Sequence, residues 1–323
     1  MFDQRDSAPA GRGREEAAGR PADGPPQPRQ TSAAEYRWIK RVTPWLFLAI
    51  PLAFLLTFTY VPVANLFFYS VVKWDGFSPD KQFVGPDNYV QLFTRPELFQ
   101  VFVVSAYYLA AAAVQVGLSM YFAVVLSFNV RFRNFFKGIL FFPYLINGVA
   151  IGFVFLYFFQ PGGTLDSVLR LFGVHGEHFW LGDPDLVNWS LAGVSVWRYT
   201  GLSFVLFLGA IQSIPGEIYE AAAIDGANRW HQFRHLILPG IRPVLSLTII
   251  LCVSGSLSVF EIPYIMTNGA NGSTTFVIQA IKLAFEFNKV GLASAAAAVL
   301  LAIVLLVTWI QRRIVPDEGV DLV

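Results

Sequence analysis

Six stretches of this chain are long and uncharged enough to cross a bilayer, and no other feature limits the fold as strongly. Val42–Val72, Leu98–Val130, Gly138–Leu165 and Val290–Gln311 contain no Asp, Glu, Lys or Arg. Leu186–Gly216 is interrupted only by Arg198, and Pro243–Phe260 is uncharged and continues past Glu261 towards Met266. A helix needs about 20 apolar residues to span the hydrocarbon core. The runs are continuous rather than alternating, which favours helices over barrel strands. Charged residues make up only 14% of the chain and hydrophobic ones 55%, with 31 Phe, against about 25% charged in a soluble domain. This composition excludes a soluble globular enzyme, a disordered protein and a coiled coil. A net charge of +1 offers no basic field, so nucleic acid is not an expected partner. The single cysteine, Cys252, excludes an intrachain disulfide and a cysteine-based metal site.

The spans are expected at about 44–72, 100–128, 136–160, 188–212, 243–266 and 290–311, inside a membrane domain of residues 37–313. Residues 1–36, rich in Pro, Gly, Ala and Arg, read as a disordered cytoplasmic tail and hold no signal-peptide core. Residues 314–323 form a second tail. Six spans put both termini on one side, where Lys and Arg number 16 against 6 on the other. The positive-inside rule makes that side cytoplasmic and the chain a multi-pass protein of a cell membrane. Pro51, Pro62, Pro143 and Pro263 lie in or near spans, so kinks are expected. Small residues at Ala110–Ala113 with Gly117, and at Ala293 and Ala295–Ala298, serve ordinary close helix packing. The triplets Asn188-Trp-Ser and Asn271-Gly-Ser are chance matches to a glycosylation pattern.

The segment between spans 4 and 5, residues 214–240, differs from every other connection. Pro215 suits a first helical position, Glu217 and Glu220 fall where the helix dipole favours acids, and Glu220-Ala-Ala-Ala is a strong helix former. Asp225-Gly226 should end or bend that helix. A second short helix can run to Leu238 and break at Pro239-Gly240. The result is a compact helix–turn–helix at the membrane surface, and on residues alone it serves equally as a docking element or an amphipathic connector. His231 and His235, four apart, lack an obvious third ligand, so a plain helix face is the better reading and no metal is expected. Asp183 and Asp185 read as solvated charges of an outer loop that could touch an external protein.

The pattern Glu220-Ala221-Ala222, then Gly226, then Leu236-x-Leu238-Pro239 resembles the EAA loop of permease subunits in bacterial ABC importers. Asp225-Gly226-Ala227 and Phe233 resemble the sugar-importing branch, the maltose and multiple-sugar permeases. So do Trp74-Asp-Gly, Val84-Gly with Asn88-Tyr89, Trp197, Gly209–Pro215 and Gly291-Leu-Ala-Ser-Ala. The resemblance covers roughly Arg37 to Arg313. One departure is Thr267-Asn-Gly-Ala-Asn-Gly-Ser273, where the family often has Thr-Gly-Gly-Gly-Pro.

The resemblance implies an all-α membrane fold, the type I ABC importer permease fold, with six helices and a cytoplasmic coupling helix between helices 4 and 5. It implies a permease that moves a sugar or oligosaccharide by alternating access and is itself no enzyme. ATP and Mg belong to a partner ATPase, and this chain binds no cofactor; its sequence has no Gly-x-x-x-x-Gly-Lys-Ser/Thr run. Implied partners are a homologous second permease subunit, a cytoplasmic ABC ATPase dimer, an extracytoplasmic solute-binding protein and membrane lipid. Glu220, Ala221, Ala222, Asp225, Gly226, Ala227 and Pro239 would couple the chain to the ATPase.

A solute path needs polar groups within the bilayer, and a charge there normally faces protein or water. Arg198 lies about nine residues into its span, roughly 14 Å along a helix, and Glu261 lies near the outer end of span 5. Trp197, Arg198, Tyr199 and Thr200 offer an aromatic face and donors suited to a sugar. Ser254, Ser256, Ser258 and Glu261 could line the other side, and the family's sugar-facing positions lie on the same two helices. Alternatively, Arg198 and Glu261 form a structural pair, or Arg198 reaches another subunit. Arg198 would also suit an anionic solute such as a polyol phosphate. An ion-driven secondary transporter would show inverted repeats and acids at mid-depth, and neither is evident.

Overall fold

The computed structural model describes residues 33–128 and 131–314. Most of the two expected tails therefore lies outside the described residues. The chain divides into a short unit ending at Thr59 and a large one from Tyr60 onward. In the short unit, α1 (Ala33–Leu55) begins four residues inside the expected disordered tail, because Ala33-Ala34-Glu35 already favours a helix. It runs into a π turn at Leu56–Tyr60. That turn stands just before Pro62, which has no N–H to give. Phe54 and Phe58 stack one turn apart at 5.7 Å, and Trp45 and Phe47 are exposed.

The large unit starts with α2 (Val61–Ser70) and a small hairpin of β1 (Val72–Lys73) and β2 (Gln82–Phe83), paired antiparallel with Val72 opposite Phe83. There follow α3 (Asp87–Thr94), α4 (Pro96–Ser127), α5 (Arg133–Leu145), α6 (Gly148–Phe158), α7 (Thr164–Leu171) and α8 (Pro184–Gln212). Then come α9 (Gly216–Ile224), α10 (Arg229–Gln232), a π turn at Phe233–Ile237 and α11 (Leu238–Gly240). The chain closes with α12 (Arg242–Leu257), α13 (Glu261–Thr267), α14 (Phe276–Ile281), a π turn at Lys282–Glu286 and α15 (Val290–Ile314). The fold is all-α. Among the described residues, five helical stretches are long and apolar enough to cross a membrane: Lys40–Ser70, Pro96–Ser127, Pro184–Gln212, Arg242–Thr267 and Val290–Arg313.

The expected third span is not one helix. α5 and α6 meet at 98°, and only together are they long enough to cross a membrane. Pro143 removes one rung of α5, Ile146 is extended, and the Asn147 side chain accepts from the Val149 amide at 2.9 Å, starting α6 afresh. The fifth stretch is also interrupted, between α12 and α13 at Ser258–Phe260.

Glycines and small residues set the approach of these helices. A Cβ on Gly201 of α8 would collide with the Leu140 carbonyl oxygen and Phe141 Cα of α5. Gly152 of α6 lies against Ile265 of α13. Among the described residues, three apolar clusters fill the gaps, two of them the larger. Of these two, one joins Val104, Ile151, Leu191, Val194 and Ile262, the other Leu126, Phe204, Phe207, Ile237 and Ile241.

The motif residues of the hairpin region act as staples. Asn88 Nδ2 donates to the Ser70 and Val72 carbonyls at 2.9 and 3.0 Å, and the Tyr89 hydroxyl donates to Ser70 Oγ at 2.7 Å. Gly291 at the start of α15 sits on the Val72 carbonyl, where a Cβ would not fit. The departure after α13 is also accommodated. Asn268 and Asn271 take left-handed angles (φ 48° and 56°), which Asn tolerates nearly as glycine does. Asn271 Nδ2 then donates to the Leu181 carbonyl at 2.8 Å, and Thr267 and Ser273 share a 2.7 Å hydroxyl contact.

Candidate functional site

A cleft of about 400 Å³ lies between α4, α8 and α12, and its wall continues into the break at Ser258–Phe260. An interrupted helix leaves backbone groups unpaired, and in a bilayer such groups must face protein or a water-filled cavity. Here Ser258, Val259 and Phe260 all line the cleft. α8 contributes Ser195, Tyr199 and Ser203, α12 contributes Cys252 and Ser256, and Glu261 opens α13.

Arg198 is the middle residue of the 29-residue α8. Its Nη1 donates to Glu261 Oε2 at 2.9 Å, and its guanidinium carbon lies 5.1 Å from the Tyr199 ring centre. The Arg198 side chain is only 11% exposed, that of Glu261 49%. Arg198 Nε is buried without a hydrogen-bond partner. The carboxylate sits at the N-terminal residue of α13 and against Gly148, the first residue of α6, where any Cβ would strike both members of the pair. Two helix N-termini thus favour the negative charge.

Of the residues anticipated for a solute path, Tyr199, Ser256, Ser258 and Glu261 line the cleft, whereas Trp197, Arg198 and Thr200 do not. Trp197 is 44% exposed and packs edge-on against Phe155 at 5.1 Å. Thr200 turns its hydroxyl back to the Val196 carbonyl. The side chain of Ser254 is likewise outside the lining.

α4 supplies what the sequence reading missed. Gln115 Nε2 lies 3.2 Å from the Tyr199 carbonyl, 3.1 Å from Ser203 Oγ and 3.3 Å from Cys252 Sγ, so one amide ties three helices. Tyr108 is 2% exposed, lines the cleft, and its hydroxyl has no partner. The signal was present: Tyr108, Gln115 and Ser119 recur at seven and four residues along an apolar helix and so share one face.

The segment 214–240 forms the expected helix–turn–helix with two differences. Pro215 is extended and precedes the helix, so α9 starts at Gly216. Gly226 (φ 80°) ends it in a paired C-cap: the Gly226 amide donates to Ala223 O at 3.1 Å and the Ala227 amide to Ala222 O at 2.9 Å. Asn228 caps the next helix by accepting from the His231 amide at 2.9 Å. Pro239 and Gly240 do not break this second helix. The π turn just before them absorbs the missing proline N–H, and α11 contains both residues. Glu220 and Ile224 are exposed, as is Trp230, while burial raises the Tyr219 hydroxyl above its usual pKa. His231 and His235 stack at 6.0 Å, and among the described residues no group of three metal-binding side chains gathers.

A second ordered region is the turn around Asp166 in α7. Its carboxylate is fully buried. Burial pushes the pKa up, but the Trp180 indole N–H at 2.9 Å, the Gly162 amide at 2.7 Å, and the His178 amide and ring outweigh it and hold it at about 2.

Residues 115–319 match the family described as binding-protein-dependent transport system inner membrane component. The chain is 34% identical over 280 residues to the probable ABC transporter permease protein YurN of Bacillus subtilis (strain 168), covering 84% of this chain and 96% of that one. It is 31% identical to the diacetylchitobiose uptake system permease protein NgcF of Streptomyces coelicolor (strain ATCC BAA-471 / A3(2) / M145), over 86% of this chain and 85% of that one. The crystal structure of a bacterial ABC transporter involved in the import of the acidic polysaccharide alginate superposes with a TM-score of 0.73 at 22% identity, covering 86% of this chain and 98% of its counterpart.

Proposed function

The chain belongs to the family of binding-protein-dependent transport system inner membrane components, and from that membership we propose that it is the permease subunit of an ATP-driven importer of a sugar or oligosaccharide. The observation that carries the solute class is the cleft, whose polar lining is chiefly hydroxyls set among aromatic rings: Tyr108, Tyr144, Tyr199, Ser256 and Ser258. Hydroxyls both donate and accept, and ring faces pack on the apolar face of a pyranose. The disaccharide permease among the relatives agrees with this class.

The coupling surface on this reading is α9 and its turn, from Glu220, Ala221 and Ala222 through Asp225, Gly226 and Ala227 to Pro239. Exposed Ile224 and Trp230 beside small alanines suit a partner's groove better than they suit a solvated connector. The partner is a cytoplasmic ATPase dimer that holds ATP and Mg. Its closure draws this loop towards that of a second permease, the helices open outward to an external solute-binding protein, and hydrolysis resets them. Loop movement biases the bundle only through contacts that differ between its two states. Both termini lie in the cytoplasm.

The test is reconstitution of the chain with its ATPase, second permease and binding protein in proteoliposomes. ATP-dependent uptake, with hydrolysis stimulated by the loaded binding protein, is the expected result. Solute accumulation by this chain without any ATPase would overturn the reading.

A further inference from the structure

We propose that the cleft selects by charge, accepting neutral or amino-bearing saccharides and rejecting acidic ones. This rests on the reading of the chain as a saccharide permease and narrows it to a solute class. Among the side chains that line the cleft, Glu261 is the single charged one. Its partner Arg198 lies behind it: the guanidinium is committed through Nη1 to Glu261 Oε2, lies over the Tyr199 ring and is 11% exposed, whereas the carboxylate is 49% exposed. The pair is neutral from a distance, but a solute in the cleft meets the carboxylate first. A hydroxyl or ammonium finds an acceptor there. A carboxylate or phosphate is repelled and meets a guanidinium that is largely buried and already engaged.

The rest of the polar lining fits the same class. The hydroxyls of Tyr108, Tyr199, Ser256 and Ser258 and the amide of Gln115 are uncharged. The buried, unpartnered Tyr108 hydroxyl is a group that a saccharide hydroxyl would complete. The sequence alone made Arg198 look suited to an anion; the geometry reverses the sign by burying the cation and exposing its counter-ion. The fold shared with an importer of an acidic polysaccharide does not carry that preference over, because sites rather than folds set specificity.

The chain holds its own reporter. Cys252 is its only cysteine and lines the cleft. The assembled transporter in proteoliposomes is treated, on both faces of the bilayer, with two methanethiosulfonates of similar size, one bearing trimethylammonium and one sulfonate. In each reaction the thiolate attacks the reagent's divalent sulfur. A mixed disulfide forms, and methanesulfinate leaves with the electrons of the broken sulfur–sulfur bond. Rates are read from the mass of the Cys252 peptide and divided by those on free 2-mercaptoethanol. The cation should outpace the anion by about tenfold or more, as a charge focused in a narrow low-dielectric cleft dictates. Glu261→Gln should invert the bias. Arg198→Met/Glu261→Gln, which leaves no unpaired charge and so guards against misfolding of the single variant, should abolish it. Equal rates, a faster anion, no modification of Cys252 by either reagent, or a bias that survives the double variant would overturn the proposal. Saccharide uptake in the same vesicles separates the two readings. Uptake without bias refutes only the charge selection, and bias without ATP-dependent uptake refutes the permease reading beneath it.

Discussion

Gly226 offers the sharpest separation of backbone geometry from side-chain bulk. Its φ of 80° lies in the left-handed region, and a Cβ built there meets nothing within 4 Å. Substitution therefore costs conformational energy in this chain but creates no clash. For a residue with a Cβ the cost is roughly 1–2 kcal/mol, which lowers the population of the capped turn by a factor of about 5–30. Asn tolerates left-handed angles and costs less; Val, β-branched, costs most. The order of coupling efficiency should be Gly, Asn, Ala, Val. The assay is binding-protein-stimulated ATP hydrolysis and uptake in proteoliposomes, with membrane insertion measured in parallel. If the Asn variant is as impaired as Val, or Val couples as well as the parent, then the turn's backbone is not what transmits the motion and the reasoning fails.

Other outcomes follow from individual contacts. Gly201→Ala forces a methyl onto the Leu140 carbonyl and Phe141 and should destabilise by about 1–3 kcal/mol; Gly209→Ala on the same helix meets nothing and should leave the melting temperature in detergent unchanged. Tyr108→Phe removes a buried hydroxyl with no partner, so stability should hold or rise by up to about 1 kcal/mol, while the KM for uptake rises severalfold. Asp166 has a folded pKa of about 2 against an ordinary 3.8, so its contribution is full above about pH 4 and is lost as pH falls through about 2. Hydrogen–deuterium exchange at the Gly162 and His178 amides should show that window, and Asp166→Ala should abolish their protection at neutral pH.

The helical class and the apolar spans were legible because bilayer length and backbone satisfaction leave few options. The turn at Gly226 was legible because its chemistry is local: an alanine run, then Asp-Gly. The 98° bend was half legible. Pro143 announces a kink, but only with the Asn147 cap four residues on does it become a fresh helix start. Pro239 misled for the opposite reason, since a π turn upstream can absorb a proline that would otherwise end a helix. The pairing of Arg198 with Glu261 crosses 63 residues, and which partner faces the cleft depends on burial, a property of the assembled helices. Tyr108 and Gln115 escaped because small residues drew attention to span 2 as a packing face, although its polar residues share one side.

The site and the loop are joined by continuous backbone. From Arg198, α8 runs to Gln212, 14 residues or roughly 21 Å at 1.5 Å per residue, and α9 opens only four residues later at Gly216. After the loop, α12 returns from Arg242 to Leu257 and ends at the break that lines the cleft. The segment 214–240 therefore holds one end of two cleft walls, while Gln115 of α4 ties those walls together midway. A displacement of the loop cannot be absorbed within either helix, because both lack an internal break over this distance. What these helices transmit arrives at Ser258–Phe260, the far end of α12, and at Arg198 midway along α8, which joins Glu261 beside the Gly148 end of α6. The helix breaks are thus where a lever of this geometry would deliver its motion, and the one exposed carboxylate of the cleft sits at that point.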